Sequence, residues 1–241
     1  MKLAEMPAAP RRNVLLYGPP KVCKTNGACT APGKVALLNC DLPNATWFAR
    51  SRHPQVDEIV FEGYATIKEI GVAINQGSFP YDTVIVDPVN ELYRLILEGV
   101  SKAAVSPPLP AYQATGVHVE RFCRGLCRSP DVNAVFVLHE LPVKDEATGN
   151  FERLPNTGTT NPALGQKLMG MVDVIGYCGV QTDEGEPRYV AQLLPGGGRR
   201  GGDRFNVLGA VREVDLTEWF DLMDRAAASV AAEANKQEAV T

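Results

Sequence analysis

The feature that most constrains the fold is a glycine-containing turn between an apolar run and a Lys-Thr pair. The apolar residues 13–17 are followed by residues 18–25, which read GPPKVCKT. This segment matches the pattern G-x-x-x-x-G-K-[ST] except that Cys23 replaces the second glycine. In that pattern backbone N–H groups enclose a phosphate, the lysine reaches its oxygens and the hydroxyl holds Mg²⁺. The order of strand, loop and helix therefore predicts an α/β fold built around a phosphate-binding loop.

Cys23 is the one departure from the pattern. Glycine is usual at this position because the backbone comes close to phosphate, so a Cβ and a thiol predict crowding. If Cys23 keeps helix-like φ and ψ, an L-residue adopts them without left-handed strain, and we expect nucleotide binding to be weakened, not abolished. A chance Gly-Pro turn before a helix is the alternative interpretation.

Length and composition favour one domain. The 241 residues, 26.0 kDa and 45% hydrophobic, are enough for a single α/β core. We divide the chain into an N-terminal extension, residues 1–12, an ATPase-like domain, residues 13–222, and a C-terminal helix and polar tail, residues 223–241. The net charge of -4 shows no global basic field for nucleic acid, although local basic loops fit an acidic body.

Cysteine usage and hydropathy favour the cytoplasm. The six cysteines are scattered instead of forming the paired C-x-x-C spacings of zinc sites, so we expect free thiols. The chain starts without a signal-peptide pattern, and no stretch reaches the ~18 apolar residues that span a bilayer. We therefore expect a cytoplasmic protein with no membrane partner.

Apolar runs alternate with helical patterns along the chain. Strands are predicted at residues 13–17, 35–40, 58–61, 83–87, 134–139, 172–178 and 189–194. Helices are predicted at residues 24–29, 45–51, 65–76, 91–101, 117–128 and 162–171, with a terminal helix opening near Asp215 and Thr217. This order predicts a mostly parallel sheet with helices on both faces and late antiparallel strands. Residues 101–116, 140–165 and 195–204 are predicted loops.

Carboxylates close two of the predicted strands. Asp87 ends an apolar strand downstream of the phosphate loop, which is the placement of a carboxylate that reaches Mg²⁺. Asp41 ends the first strand after the loop helix, where a carboxylate polarises a water for attack on the γ-phosphate. Turn formation and helix capping are the alternative roles for both residues.

Further along the chain, a histidine and a basic loop complete the candidate set. His139 ends another apolar strand and is a candidate sensor of the γ-phosphate, unless it is a capping residue. Arg199, Arg200 and Arg204 lie in a Gly-Arg-rich segment, where an arginine delivered to a neighbouring subunit would neutralise charge that develops on phosphate. We favour Arg204, because Asp203 and Phe205 can anchor it; a solvated loop is the alternative.

The candidate site is therefore as follows. The predicted nucleotide-binding residues are Gly18, Pro19, Pro20, Lys21, Val22, Cys23, Lys24, Thr25 and Asn26. The predicted catalytic residues are Lys24, Asp41, Asp87, His139 and Arg204, and the predicted Mg²⁺ ligands are Thr25 and Asp87.

Together with residues 161–165 and 202–205, these motifs resemble the phage-encoded RecA-like ATPases of the Sak-type single-strand annealing group, within the AAA-type P-loop proteins. The resemblance spans about residues 13–220. It implies a RecA-like core that binds ATP and Mg²⁺, assembles side by side into a ring or filament, and handles single-stranded DNA in recombination or annealing. The family usually has glycine at Cys23 and lysine at Gly202, and both departures predict slow hydrolysis.

By the same resemblance, residues 101–116 and 140–165 correspond to loops that line a DNA path. The candidate DNA contacts are Lys102, Lys144, Arg153, Lys167, Tyr112 and Phe151. Single-strand-binding or recombination proteins are the expected protein partners. Two other functions stay open: a nucleotide-gated scaffold with impaired hydrolysis, and an NTPase of phage packaging or replication.

Overall fold

The computed structural model describes residues 11–102, 105–144, 146, 149–159 and 161–238. These residues form ten strands and seven helices. The strands are β1 (Asn13–Gly18), β2 (Val35–Asn39), β3 (Val56–Val60), β4 (Thr83–Asp87), β5 (Asn133–Lys144), β6 (Phe151–Asn156), β7 (Val174–Asp183), β8 (Glu186–Gln192), β9 (Gly202–Asp203) and β10 (Val211–Glu213). The helices are α1 (Lys24–Ala28), α2 (Trp47–Arg52), α3 (Tyr64–Asn75), α4 (Val89–Val100), α5 (Leu109–Arg128), α6 (Ala163–Met171) and α7 (Leu216–Glu238).

All described strands lie in one sheet, in the order β10-β8-β7-β1-β5-β4-β2-β3, with β6 beside β5 and β9 beside β7. The run from β7 to β3 is parallel. The strands β6, β8, β9 and β10 pair antiparallel. The predicted α/β class, with a mostly parallel sheet and late antiparallel strands, is confirmed.

Helices cover both faces of the sheet because alternate residues of each strand point to opposite sides. Leu15 and Tyr17 of β1 belong to a core under α3, α4, α5 and α6. Val14 and Leu16 belong to a second core under α1, α2 and α7, where Trp219 is fully buried. Burial on two faces explains why the central strands read as continuous apolar runs.

The parallel pairing brings the ends of four strands to one edge of the sheet. Gly18 lies opposite His139 in the register of β1 and β5, and Asn39 lies opposite Asp87 in that of β2 and β4. Residues far apart in sequence therefore meet at the carboxyl ends of the strands, which is where ligands bind in open α/β sheets.

Two of the predicted loops are largely regular structure. Helix α5 begins at Leu109, eight residues before the predicted start, because Pro110 is tolerated in the first turn and Ala111 and Thr115 are buried. Residues 140–165 contain a hairpin, in which β5 continues to Lys144 and pairs with β6. Pro142 and Pro155 lie in this hairpin, where β5 and β6 pair with each other at the border of the sheet and prolines are tolerated.

At the chain ends, regular structure crosses the proposed domain limits. Helix α7 runs through the boundary at residues 222 and 223, and Met223 is fully buried in the second core. Arg12 is also buried, and its guanidinium pairs with Asp224 of α7 and lies 4.5 Å from the centre of the Phe205 ring. Arg12 and helix α7 thus pack on the same domain. Among the described residues, no helix is long and apolar enough to cross a bilayer.

Candidate functional site

The phosphate loop lies between β1 and α1 and is held by close packing at its start. A Cβ on Gly18 would lie 2.3 Å from the carbonyl oxygen of Cys178, and the φ of Gly18 is 149°. Glycine is therefore required at the first position of the motif, as its pattern predicts.

Cys23 corrects one expectation. Its φ of 59° and ψ of 24° are left-handed, so the helix-like φ and ψ under which Cys23 would be free of left-handed strain are not present. Lys21 has a φ of 64° and is left-handed too. The loop curls tightly here, as the glycine of the usual motif would allow, and an L-residue in this conformation costs about 1–2 kcal/mol. The strain at Cys23 comes from the backbone as well as from the thiol.

Lys24 directs its ammonium group back onto the loop. The Nζ atom donates to the carbonyl oxygens of Gly18 at 3.2 Å and Pro19 at 2.6 Å. The side chain is buried, and this burial lowers the pKa of Lys24, while the charges of Cys178, Asp87 and Glu140 oppose the shift. A buried ammonium that bonds only to neutral carbonyls is a strong attractor for phosphate oxygens.

The backbone at the start of α1 adds donors. Within the described residues, no hydrogen bond is made by the backbone N–H groups of Cys23, Lys24 and Thr25. The first N–H groups of a helix lack internal partners, and in a phosphate loop they bind the anion. Next to them, the Oδ1 atom of Asn26 is buried and has no partner in the described part of the chain.

Asp87 lies behind the loop at the end of β4 and is buried. Burial raises the pKa of Asp87 to about 6, while the neighbouring Thr25 hydroxyl and the charge of Lys24 oppose this rise and Asp41 adds to it. Thr25 and Asp87 line the same cavity, and a carboxylate beside the loop threonine is the arrangement expected of a Mg²⁺ pair.

Asp41 and His139 face the same space from β2 and β5. Asp41 is exposed. Burial of His139 and the charge of Lys24 lower the pKa of His139, while the charge of Asp41 raises it. The net shift is downward, so the imidazole is neutral at pH 7. The backbone N–H of His139 donates to Asn90 Oδ1 at 3.4 Å, which ties the end of β5 to the first turn of α4.

These groups surround one cavity of about 550 Å³. Its lining residues are Pro20, Lys21, Cys23, Lys24, Thr25, Asn26, Asp41, Ala45, Phe48, Ala49, Asp87, Pro88, Val137 and His139. The cavity brings together four of the five predicted catalytic residues and most of the predicted binding residues. Gly18, Pro19 and Val22 shape the loop without lining the cavity.

Arg204 is the predicted catalytic residue that lies elsewhere. Its guanidinium pairs with Asp173 at 2.8 Å and donates to the carbonyl oxygen of Val172 at 3.1 Å. Asp173 precedes β7, so Arg204 lies at the amino edge of the sheet, opposite the cavity. Within this chain it does not contact the phosphate loop, and a role at phosphate requires a neighbouring subunit.

Arg199 and Arg200 lie at the carboxyl edge instead. Arg199 stacks over the Tyr177 ring with 4.7 Å from its Cζ to the ring centre, and Arg200 pairs with Glu152 of β6 at 2.7 Å. The Tyr17 hydroxyl accepts the backbone N–H of Arg200 at 2.7 Å, and its one proton points towards the carbonyl oxygens of Arg200 at 2.8 Å and of Arg153 on β6 at 3.0 Å. The Gly-Arg segment is thus attached to the residue that precedes Gly18.

The predicted DNA-contacting residues have mixed surroundings. Arg153 pairs with Glu140, and Lys167 pairs with Glu120. Phe151 is 59% exposed at the hairpin. The remaining candidates, Lys102, Lys144 and Tyr112, are exposed.

Sequence reasoning missed the cavity wall formed by Ala45, Phe48 and Ala49. These residues lie in and before a helix that was predicted, but no motif marks them. It also missed Glu140, whose carboxylate accepts from the Tyr177 hydroxyl at 2.8 Å and contributes to the charge around Lys24. The position of Glu140 directly after His139, a predicted site residue, could have identified it as a candidate.

The residues present fit a nucleotide with Mg²⁺. In the described part of the chain, no group of three or more His, Cys, Asp or Glu side chains can hold a metal ion alone. A site with one carboxylate and one hydroxyl suits Mg²⁺, which completes its shell with phosphate oxygens and water. The described cysteines are all free thiols, as predicted.

The chain is similar to one protein family and, at low sequence identity, to solved structures. A family model described as AAA domain (AAA_24) matches residues 11–205. Among curated proteins, no sequence matches the chain. Similar solved structures include the flagellar accessory protein FlaH from Methanocaldococcus jannaschii, with a TM-score of 0.44, 8% identity and coverage of 80% of this chain and 79% of that chain. A KaiC-like protein from Pyrococcus horikoshii OT3 has a TM-score of 0.40, 7% identity and coverage of 75% and 77%.

Proposed function

Because this chain belongs to the AAA domain family of P-loop ATPases, we propose that it binds and hydrolyses ATP with Mg²⁺ and uses this cycle to act on single-stranded DNA in phage recombination or annealing. The observation that carries the first part is the buried Lys24 beside the Thr25 and Asp87 pair. Three groups that bind phosphate and Mg²⁺ converge at the opening of one cavity.

Each residue has a role in this proposal. Lys24 leaves the carbonyls of Gly18 and Pro19 and bonds to phosphate oxygens. Thr25 and Asp87 hold Mg²⁺, which neutralises phosphate charge when bound. Asp41 orients the attacking water, and neutral His139 donates a hydrogen bond towards the γ-phosphate. Positioning and charge neutralisation supply the catalysis.

The DNA part of the proposal is supported by the contacts of the hairpin β5–β6. The backbone N–H of Arg153 donates to Gly198 O at 2.6 Å, and a Cβ on Gly198 would lie 2.4 Å from Phe151 O. The hairpin and the Gly-Arg segment therefore move together, and Tyr17 attaches both to the phosphate loop. The exposed Phe151 ring lies in a hairpin whose backbone contacts the Gly-Arg segment, and an exposed ring beside a basic segment suits a single strand.

We further propose side-by-side assembly into a ring or filament, with Arg204 of one subunit near the phosphate of the next. Its side chain is 60% exposed at the amino edge of the sheet, which supports this role, since another copy can reach it there and draw it from Asp173.

The second candidate is a nucleotide-gated scaffold that binds ATP without turnover. The left-handed Cys23 favours it, because a strained residue with a thiol lies where the backbone must enclose phosphate.

The test measures ATP binding by calorimetry and phosphate release with and without single-stranded DNA. We expect Lys24→Ala to lose more than about 10-fold in ATP affinity, since a charged hydrogen bond contributes about 1.5–3 kcal/mol. The control is Lys68→Ala, which removes an exposed lysine of α3 on the other face and leaves binding unchanged. Equal ATP affinity in Lys24→Ala and wild type would refute nucleotide binding at this loop, and binding without phosphate release would favour the scaffold.

The DNA proposal is tested with Phe151→Ala. Loss of one stacked base predicts weaker single-strand binding by about 1–3 kcal/mol. Tyr189→Ala, which removes another exposed ring on β8, is the control. If the wild-type protein binds neither single-stranded nor duplex DNA, a protein partner is indicated instead. If it binds duplex DNA more tightly than single strands, packaging or replication is indicated.

A further inference from the structure

We propose that Glu58 and Asn39 are positioning residues that fix Asp41 at the cavity, an inference that rests on the proposed hydrolysis. Asn39 is buried at the end of β2, two residues before Asp41. The backbone N–H of Asp41 donates to Asn39 Oδ1 at 2.9 Å. The Asn39 amide therefore holds the strand end from which Asp41 extends.

Glu58 sets the direction of that amide. Asn39 Nδ2 donates to Glu58 Oε1 at 2.6 Å, across the parallel pair of β2 and β3. A carboxylate only accepts, so it selects the amide orientation in which Nδ2 faces Glu58 and Oδ1 faces Asp41. With the amide reversed, two acceptors would meet at Glu58 and two donors at Asp41.

The same carboxylate anchors the helix that forms the cavity wall. Thr46 Oγ1 donates to Glu58 Oε1 at 3.1 Å, and Arg50 pairs with Glu58 Oε2. Helix α2 carries Phe48 and Ala49 of the wall. Glu58 itself does not line the cavity, and it is only 12% exposed. One buried carboxylate on β3 thus holds both Asp41 and the wall that faces it.

The surroundings of Asp41 explain why this matters. Asp41 is exposed, and its Oδ1 atom accepts the N–H of the neighbouring Leu42 at 2.8 Å. That bond is local and does not fix the carboxylate relative to the sheet. A carboxylate at a loop needs outside support to keep one position, and a displacement near 1 Å lowers turnover about 100-fold.

The experiment uses the full chain with three variants, Asn39→Asp, Glu58→Gln and the double variant. In Asn39→Asp the carboxylate introduced at position 39 faces that of Glu58, so the hydrogen bond between the two side chains is lost. In the double variant, the amide introduced at position 58 donates to one oxygen of the carboxylate introduced at position 39, and the other oxygen still accepts the Asp41 N–H. We expect kcat to fall at least about 10-fold in Asn39→Asp and to recover at least about 5-fold in the double variant. The ATP dissociation constant stays within about 3-fold throughout.

Amide hydrogen exchange at Asp41 and Leu42 is measured in parallel, because it does not depend on turnover. We expect faster exchange in Asn39→Asp and partial recovery in the double variant. Unchanged exchange, or a kcat that falls with melting temperature and does not recover in the double variant, would overturn the inference. Wild type without phosphate release would instead refute the proposed hydrolysis, and exchange would still show whether Asn39 and Glu58 hold Asp41.

Discussion

Replacing Cys23 by glycine is the most informative perturbation of the phosphate loop. The residue lines the cavity and has a φ of 59°, so the change removes a thiol from the place of the phosphate and relieves a left-handed L-residue. Glycine occupies this conformation without the Cβ clash.

The expected stability change follows from two opposing terms. Relief of the left-handed strain stabilises the folded state by about 1–2 kcal/mol. The added freedom of glycine in the unfolded chain opposes this by about 0.4–1 kcal/mol. The difference spans about 0–1.6 kcal/mol, so we expect Cys23→Gly to raise the free energy of unfolding by about 0.8 kcal/mol and the melting temperature by about 2–3 °C in a domain of this size.

The effect on ATP binding comes from the loop conformation. The strain favours other arrangements of the loop, so a relief near 1 kcal/mol raises affinity up to about 5-fold. Any direct crowding of phosphate by the thiol adds to this gain. We also expect faster phosphate release, since the cradle encloses the phosphate more closely.

The assay compares wild type, Cys23→Gly and Cys23→Ala by thermal unfolding, ATP calorimetry and phosphate release. Alanine removes the sulfur and keeps the strain, so it separates the two causes. We expect alanine to recover the part of the affinity due to crowding and to leave the stability near that of wild type. A glycine variant that is less stable and binds ATP no better than wild type would refute the reasoning.

The pH dependence of stability follows from Asp87, whose folded pKa is raised to about 6 from 3.8. The folded protein binds more protons than the unfolded chain between these values, so stability falls as pH rises from about 4 to 6, by up to about 3 kcal/mol. In urea titrations Asp87→Asn should lose this dependence and be more stable at pH 7, while its Mg²⁺-dependent ATP binding is lost; an unchanged pH profile would contradict the assignment. Asp224→Ala should destabilise by about 1–3 kcal/mol, because it leaves the buried Arg12 without its carboxylate. The control is Asp221→Ala on the same helix, and equal urea midpoints for the two variants would show that the ion pair is unimportant.

The central strands could be predicted from the sequence because a strand that is buried on both faces consists almost entirely of apolar residues. Residues 83–87 were predicted as a strand that ends in Asp87, and β4 has these bounds. By contrast, the sequence predicts a loop at residues 140–165, where the structure has the hairpin β5–β6. Its prolines and charged residues do not show the alternation of a half-buried strand, and only pairing with the end of β5 makes it regular.

The positions of individual side chains depended on the assembled sheet. The motif predicts Arg204 near the phosphate of a neighbouring subunit, and only the structure shows that Asp173 holds it at the amino edge of its own sheet. In the sequence, Glu58 is one charged residue of a predicted strand, and no motif marks it. Only the register of β2 and β3 places it beside Asn39.

The amino-acid sequence alone determined the phosphate loop, the strand that ends in Asp87 and the alternation that makes a parallel sheet, because these depend on local order and burial. The tertiary structure decided the left-handed backbone of Cys23, the edge at which each arginine lies and the contacts of Glu58. Those depend on the register between strands and on packing across the sheet, which no local pattern contains.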